Sequence, residues 1–298
     1  MKKNRLASKT EGLYNFMDYR RVWPKIVYAL FILFMVSVAV VSVVPPPSLF
    51  FAAFKNPQDI YSVPFRFFPD SFDLSKMGKV WTEMNFGKYF VNSVVVIAGA
   101  LVCSVIFNGL LAYAIAIVKP AGYKAIYALV LGSMMVPAVL SIVPLFKQIV
   151  ALNLINTPVP LWLAAGANAY YFVLFHTYFK SLPPSLMEAA RLDGCNKLTL
   201  FFKIVAPLSK PIIGVVAIFT VNASWSDFLM PFLVLKQDSV RTVMVKIFDL
   251  QSNMSTSAQF GMDYLLMVLS LSILPPVALF ILFQKQITGS VATAGMKD

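Results

Sequence analysis

Six stretches of the chain run without charge for long enough to cross a lipid bilayer. Residues 26–54 hold 29 uncharged positions, 89–118 hold 30, 125–146 hold 22 and 148–179 hold 32. Residues 211–235 give 25 positions interrupted only by Asp227, and 264–284 give 21. A helix needs ~20 apolar residues to cross the hydrocarbon. Backbone groups in lipid must bond within their own segment, so such stretches are helices. The pattern predicts spans at about 26–45, 90–118, 125–147, 159–179, 211–234 and 264–284. The first run, Ile26 to Val44, exceeds the ~7–15 apolar residues of a signal-peptide core. Pro45-Pro46-Pro47 follows it in place of a small-residue cleavage site, so it reads as a retained helix.

Composition agrees. The 298 residues are 59% hydrophobic and 13% charged, against ~45–50% and ~25% in soluble domains. One core cannot hide that much apolar side chain, which excludes a soluble enzyme and a disordered chain. The net charge of +12 points to basic cytoplasmic loops rather than to nucleic acid. With the N-terminus inside, 16 basic residues fall in 1–25, 119–124, 180–210 and 285–298, and 9 in the outer segments 46–88, 147–158 and 235–263. That asymmetry predicts both termini in the cytoplasm. Cys103 and Cys195 form no CxxC, and His176 is the single histidine. A disulfide framework, a zinc site and histidine catalysis are therefore not expected.

One inner loop is not loop-like. Residues 180–210 read KSLPPSLMEAARLDGCNKLTLFFKIVAPLSK. Pro183 and Pro184 can open a helix, with Ser185 as its cap and Glu188 at the third position of a capping box. Leu186, Ala189, Ala190 and Leu192 give it an apolar side. Gly194 suits a left-handed stop, and a second helix is expected at about 196–204, before Pro207. A helix, a tight turn and a helix make a rigid knob suited to a cleft on another protein. A helix lying on the bilayer surface is the alternative.

The loop resembles the EAA loop of ATP-binding-cassette importer permeases. Glu188-Ala189-Ala190, three residues, Gly194, nine residues, Ile204, one residue and Ala206-Pro207 reproduce that family's spacing. The departure is Ala206, where the pattern usually has leucine. The likeness is closest to carbohydrate-type permeases of the maltose-transporter kind. Met135-Val136-Pro137, Leu154-Ile155-Asn156-Thr157, Arg191-Leu192-Asp193-Gly194, Lys210-Pro211 and Ser224-Trp225-Ser226-Asp227-Phe228 resemble segments of those proteins, as does the tail from Phe283 to Gly295. It covers about residues 85–298. The implied fold is all-α, with six transmembrane helices in the MetI-like permease arrangement. Residues 1–25 would be a cytoplasmic segment, 26–84 a first helix with an extracytoplasmic segment, and 85–298 a five-helix permease core. The resemblance also implies a second permease, a dimer of ATPase subunits, an extracytoplasmic solute-binding protein and a carbohydrate substrate, in a bacterial or archaeal cell membrane. Glu188, Ala189, Ala190, Asp193, Gly194, Ile204 and Pro207 would dock the ATPase.

ATP and its magnesium belong on the partner. A P-loop needs GxxxxGK[ST], and Gly78-Lys79-Val80 and Gly87-Lys88-Tyr89 do not supply it. No cofactor, metal or catalytic residue is expected on this chain. Asp227 is the one acid inside an expected span, and intramembrane acids line cavities or find partners. Asn222, Trp225 and Asp227 are candidates for a sugar path, or for helix packing. Asn168, Tyr170 and Tyr171 could line the same path. His176 is expected to be structural. The outer segment 46–88, rich in Pro and Phe, suits an interfacial aromatic belt or a docking surface. The polar loop 236–262 suits contact with a binding protein or plain solvation. Other functions remain to be weighed: an importer of peptides, amino acids or glycerol phosphodiesters, an ion-coupled carrier and a membrane enzyme. A carrier leaves the EAA spacing unexplained.

Overall fold

Apolar runs this long fold as helices, and the described residues contain no strand. The computed structural model describes residues 22–64, 66–253 and 261–294. The expected cytoplasmic segment up to 21, Phe65, Ser255-Thr256-Ser257 and the tail beyond Ala294 lie outside them. Helix α1 (Val22–Val43) runs into α2 (Pro45–Ala53). The short α3 (Pro57–Ile60) and α4 (Ser75–Thr82) follow. The central helix α5 (Phe86–Tyr113) ends in a π-helical turn, Ala114–Val118. Next come α6 (Tyr123–Ser133), α7 (Ala138–Ala151), α8 (Val159–Gly166) and α9 (Ala169–Lys180). The loop then carries α10 (Pro184–Leu192), α11 (Lys197–Leu200), a π turn at Phe201–Val205 and α12 (Ala206–Leu208). The last helices are α13 (Lys210–Ser226), α14 (Leu229–Val234), α15 (Val243–Asn253) and α16 (Met262–Ala294).

Three helical segments are long and apolar enough to cross a membrane: Lys25–Ala53, Phe86–Val118 and Met262–Gln284. They match the first, second and sixth expected spans. The other three spans are broken, which corrects the reading of each as one helix. The span expected at 125–147 is α6 and α7, bent by 105°. Pro137 disfavours helix at the residue before it, and Lys147, taken as a span end, lies inside α7. The span expected at 159–179 breaks at Ala167-Asn168. There the Asn168 side chain accepts the Tyr171 N–H at 3.1 Å and starts α9 as its cap. The span expected at 211–234 breaks at Asp227. Asn168 adds no charge and Asp227 a single one, so a search for charge-free windows passes over both.

Helix α5 is the axis of the packing. It meets α8 at two glycines, Gly99 and Gly166. A Cβ on Gly99 would fall 2.2 Å from the Trp162 ring, and one on Gly166 2.5 Å from Phe107. Small residues let transmembrane helices approach this closely. One core cluster joins Tyr113, Phe172, Phe175, Phe179, Phe201 and Val216 near the 180–210 end. A second joins Ala53, Val80, Phe86, Tyr89, Trp225 and Met267 at the other end. Residues 45–84 are bound to α16 there. Lys76 pairs with Asp263 at 3.0 Å in a buried site and donates to the Lys55 carbonyl at 2.6 Å.

Candidate functional site

The loop 180–210 forms the expected helix, turn and helix. Pro184 takes the first helical position, where its missing N–H costs nothing. Ser185 is therefore inside the helix and is not the cap, and the expected capping box with Glu188 does not form. Gly194 sits at φ +78°, and the Cys195 N–H returns to the Ala190 carbonyl at 3.0 Å. This is a Schellman stop, in which a left-handed residue closes the helix. Asn196 then caps α11, accepting the Thr199 N–H at 2.8 Å. Two stops and starts in three residues make the turn stiff.

The knob has an inner and an outer face. Met187 and Ala190 are buried on the bundle with Leu200, Phe201 and Val205, and Ile204 packs against the same cluster. Ala190 and Ile204, expected in the docking set, thus anchor the loop to its own protein. Glu188, Ala189, Asp193, Gly194 and Pro207 are exposed. Leu192 is 89% exposed and Leu198 63%, so the outer face of the knob carries apolar as well as charged side chains. Among the described residues no ion pair engages Glu188. It borders a cleft of about 250 Å³ with Lys119 and Lys180. The Tyr113 hydroxyl donates to the Lys197 carbonyl at 2.9 Å, tying α11 to α5.

A second site lies in the bundle. A groove of about 420 Å³ is lined by Asn168, Tyr171, Thr220, Ser224 and Asp227 among small apolar residues. Thr220, Ala223, Ser224 and Asp227 follow the one-face spacing of a helix. Behind them, the buried Asn108 donates to the Ser104 carbonyl at 2.8 Å and the Ala165 carbonyl at 3.0 Å. It accepts the Asn168 N–H at 3.1 Å. Asn108 thereby fixes the break between α8 and α9. Thr220 Oγ1 lies 3.0 Å from Ser104 Oγ. Asp227 ends α13 just before the first turn of α14 and lines the groove.

The other two path candidates lie elsewhere. Trp225 is buried between α5 and α16, with Nε1 donating to the Ser272 carbonyl at 3.0 Å and its ring edge-on to Phe90. Asn222 is exposed, outside the groove lining. Of Asn168, Tyr170 and Tyr171, the first and last line the groove. His176 is buried against Phe172 and Tyr127, in keeping with a structural role. Sequence reasoning missed Ser104, Asn108 and Thr220, whose signal was a polar residue inside an uncharged window.

The end opposite the knob is clamped. Asn156, at φ +62°, accepts the Lys236 and Gln237 N–H groups at 2.7 and 2.8 Å. Asp238 receives Tyr89 Oη at 2.7 Å and Lys88 Nζ at 2.6 Å. Asn92 donates to the Ser239 and Arg241 carbonyls, both at 2.9 Å. Partial burial pushes the Asp238 carboxyl up. The bonds from Lys88 and Tyr89 and the charge of Lys246 outweigh that and hold it below the usual carboxylate value.

Broken apolar helices around a polar groove, with an exposed knob at one end, are the architecture of a membrane permease. Residues 105–292 match the family described as binding-protein-dependent transport system inner membrane component, and the chain belongs to that family. It is 33% identical over 276 residues to the diacetylchitobiose uptake system permease protein NgcG of Streptomyces coelicolor, covering 91% of this chain and 88% of that one. It is 30% identical over 263 residues to the arabinooligosaccharides transport system permease protein AraQ of Halalkalibacterium halodurans, covering 87% and 93%. The fold matches a chain of a bacterial ABC transporter involved in the import of the acidic polysaccharide alginate. The TM-score is 0.79 at 19% identity, over 89% of this chain and 98% of the other.

Proposed function

We propose that this permease is one half of the path of an ATP-driven importer of neutral oligosaccharides. A second permease supplies the other half. An extracytoplasmic solute-binding protein delivers the sugar, and an ATPase dimer, which holds ATP and magnesium, supplies the energy. The loop 180–210 and both termini face the cytoplasm of a bacterial or archaeal cell. The observation that carries this reading is the knob: two short helices locked by Gly194 and Asn196, with Leu192 and Glu188 presented outward. Such a knob transmits force as a lever, because its inner face is fixed to α5 and α9 while its outer face is free. ATP and the loaded binding protein shift the balance of inward- and outward-facing forms only through unequal affinity for the two.

The groove supports the substrate class. Hydroxyls of Tyr171, Thr220 and Ser224 and the amide of Asn168 suit the donors and acceptors of a sugar. The Asp227 carboxylate accepts hydroxyl hydrogens and repels an anion in a site of low dielectric. A glycerol phosphodiester is therefore disfavoured, although relatives of this family carry diverse solutes. The assembled complex in proteoliposomes, with its binding protein, is expected to take up neutral oligosaccharides only with ATP inside. Asp227→Asn should cut that uptake about tenfold or more, the scale of a hydrogen bond to a charged group, with assembly intact. Preferred uptake of the phosphodiester, or unchanged uptake in the variant, would remove the groove from the account.

A further inference from the structure

At the elbow where the loop returns to the bundle, α12 meets α13 at 80°. Beneath the elbow lies a cavity of about 200 Å³. Its walls include Val105, Gly109, Phe175, Phe202, Ala206 and Ile213. The one polar residue there, Ser209, spends its hydroxyl on the Val205 carbonyl at 2.6 Å. A cavity with such walls offers water no partner, and genuinely apolar cavities stay dry. It exists partly because Ala206 is short where the EAA pattern usually carries leucine.

Two features say what fills it. Phe202 is 55% exposed, so the cavity opens toward the outside of the bundle rather than into its core. Gly109 lies ten residues before Lys119 and Phe175 five before Lys180. At 1.5 Å per residue these walls lie about 7 to 15 Å from the basic ends of the two helices, within the reach of an acyl chain. Lys203 and Lys210 flank the elbow in sequence, and both are exposed. Among the described residues neither pairs with a carboxylate. Lysines near the headgroup level attract anionic lipid.

The geometry points to a site for an anionic phospholipid at the elbow, with one acyl chain in the cavity and its phosphate on Lys203 and Lys210. The inference rests on the reading that 180–210 faces the cytoplasmic leaflet. Lipid seated there braces the elbow through which the knob moves the bundle.

The test uses the whole complex in nanodiscs of phosphatidylcholine with one quarter phosphatidylglycerol of matched chains. Lipid retained after mild delipidation is counted by native mass spectrometry. The unaltered complex is expected to keep phosphatidylglycerol several-fold over phosphatidylcholine. Ala206→Leu fills the cavity, and Lys203→Gln with Lys210→Gln removes the charge. Each should lower the retained phosphatidylglycerol at least threefold. Free glycerol phosphate should not displace it, since a bare headgroup lacks the chain. Equal retention in Ala206→Leu overturns the cavity as the site, and displacement by glycerol phosphate makes it a plain anion site. Co-purification of the ATPase is scored on the same samples. Its loss in the unaltered complex indicts the docking reading instead, whatever lipid is kept.

Discussion

Single residues decide where this protein bends and where it closes. Gly99 and Gly166 are small because another helix's ring occupies the space of their Cβ. Gly99→Ala should lower stability by about 1–3 kcal/mol, the usual cost of overpacking, and a thermal scan in detergent reads it. An unshifted transition would mean that Trp162 swings away freely. The sequence could not show this contact, because the glycine and the ring lie on different helices and form no motif within either. It did show that Asp227 was special, as the sole acid in an apolar run. It left Trp225 open, because the ring suits a sugar face as well as a core. Only the neighbouring Phe90 and the Ser272 carbonyl settle which.

At the scale of elements, the knob was readable and the broken spans were not. Gly194 and Asn196 write their conformations locally: a left-handed glycine and a capping asparagine work within four residues of chain. Gly194→Val should strain the turn by roughly 1–3 kcal/mol and strip the ATPase from the purified complex, while the helical circular-dichroism signal stays. Retained ATPase would deny the turn its role. The breaks in the third, fourth and fifth spans depend instead on one proline, one asparagine and one aspartate. A charge-free window gives little weight to these, since it measures apolar length rather than backbone satisfaction. The clamp on the far side carries a pH dependence. The Asp238 carboxyl is held below its ordinary value in the fold, so its contribution is present above the unfolded value of about 3.9. It is lost as pH falls through the lower, folded value. Asp238→Asn should therefore lower the melting temperature at pH 7, by the modest effect of a half-exposed pair, ~1 kcal/mol or less. The gap should narrow as the pH falls below about 3.9 and through the lower, folded value. A gap that does not change with pH would mean that the bonds to Lys88 and Tyr89 act through shape rather than charge.

For the whole molecule, a groove among α8, α9 and α13 takes its polar lining from Asn168 and Tyr171 at the start of α9 and from α13 with the Asp227 that ends it. The first 84 residues looked featureless in sequence beyond one helix. The structure gives residues 45–84 a job, because Lys76, buried against Asp263, fastens them over the start of α16. That pairing joins positions nearly 190 residues apart, which no local pattern announces. Helix α1, by contrast, is exposed from Lys25 to Val43, as a helix bathed in lipid or in a partner would be. Helices α9 and α13 line the groove and also carry residues of the core that anchors the knob, so these two elements join one to the other. The central claim is that this chain works only as part of a larger assembly, joined at the loop 180–210. The direct measurement is to purify the tagged chain from its native membrane in mild detergent and identify what comes with it by mass. The account predicts a second EAA-bearing membrane protein and a P-loop ATPase, crosslinked to this chain through a cysteine placed at Leu192. A chain that purifies alone and still transports solute in liposomes would contradict it.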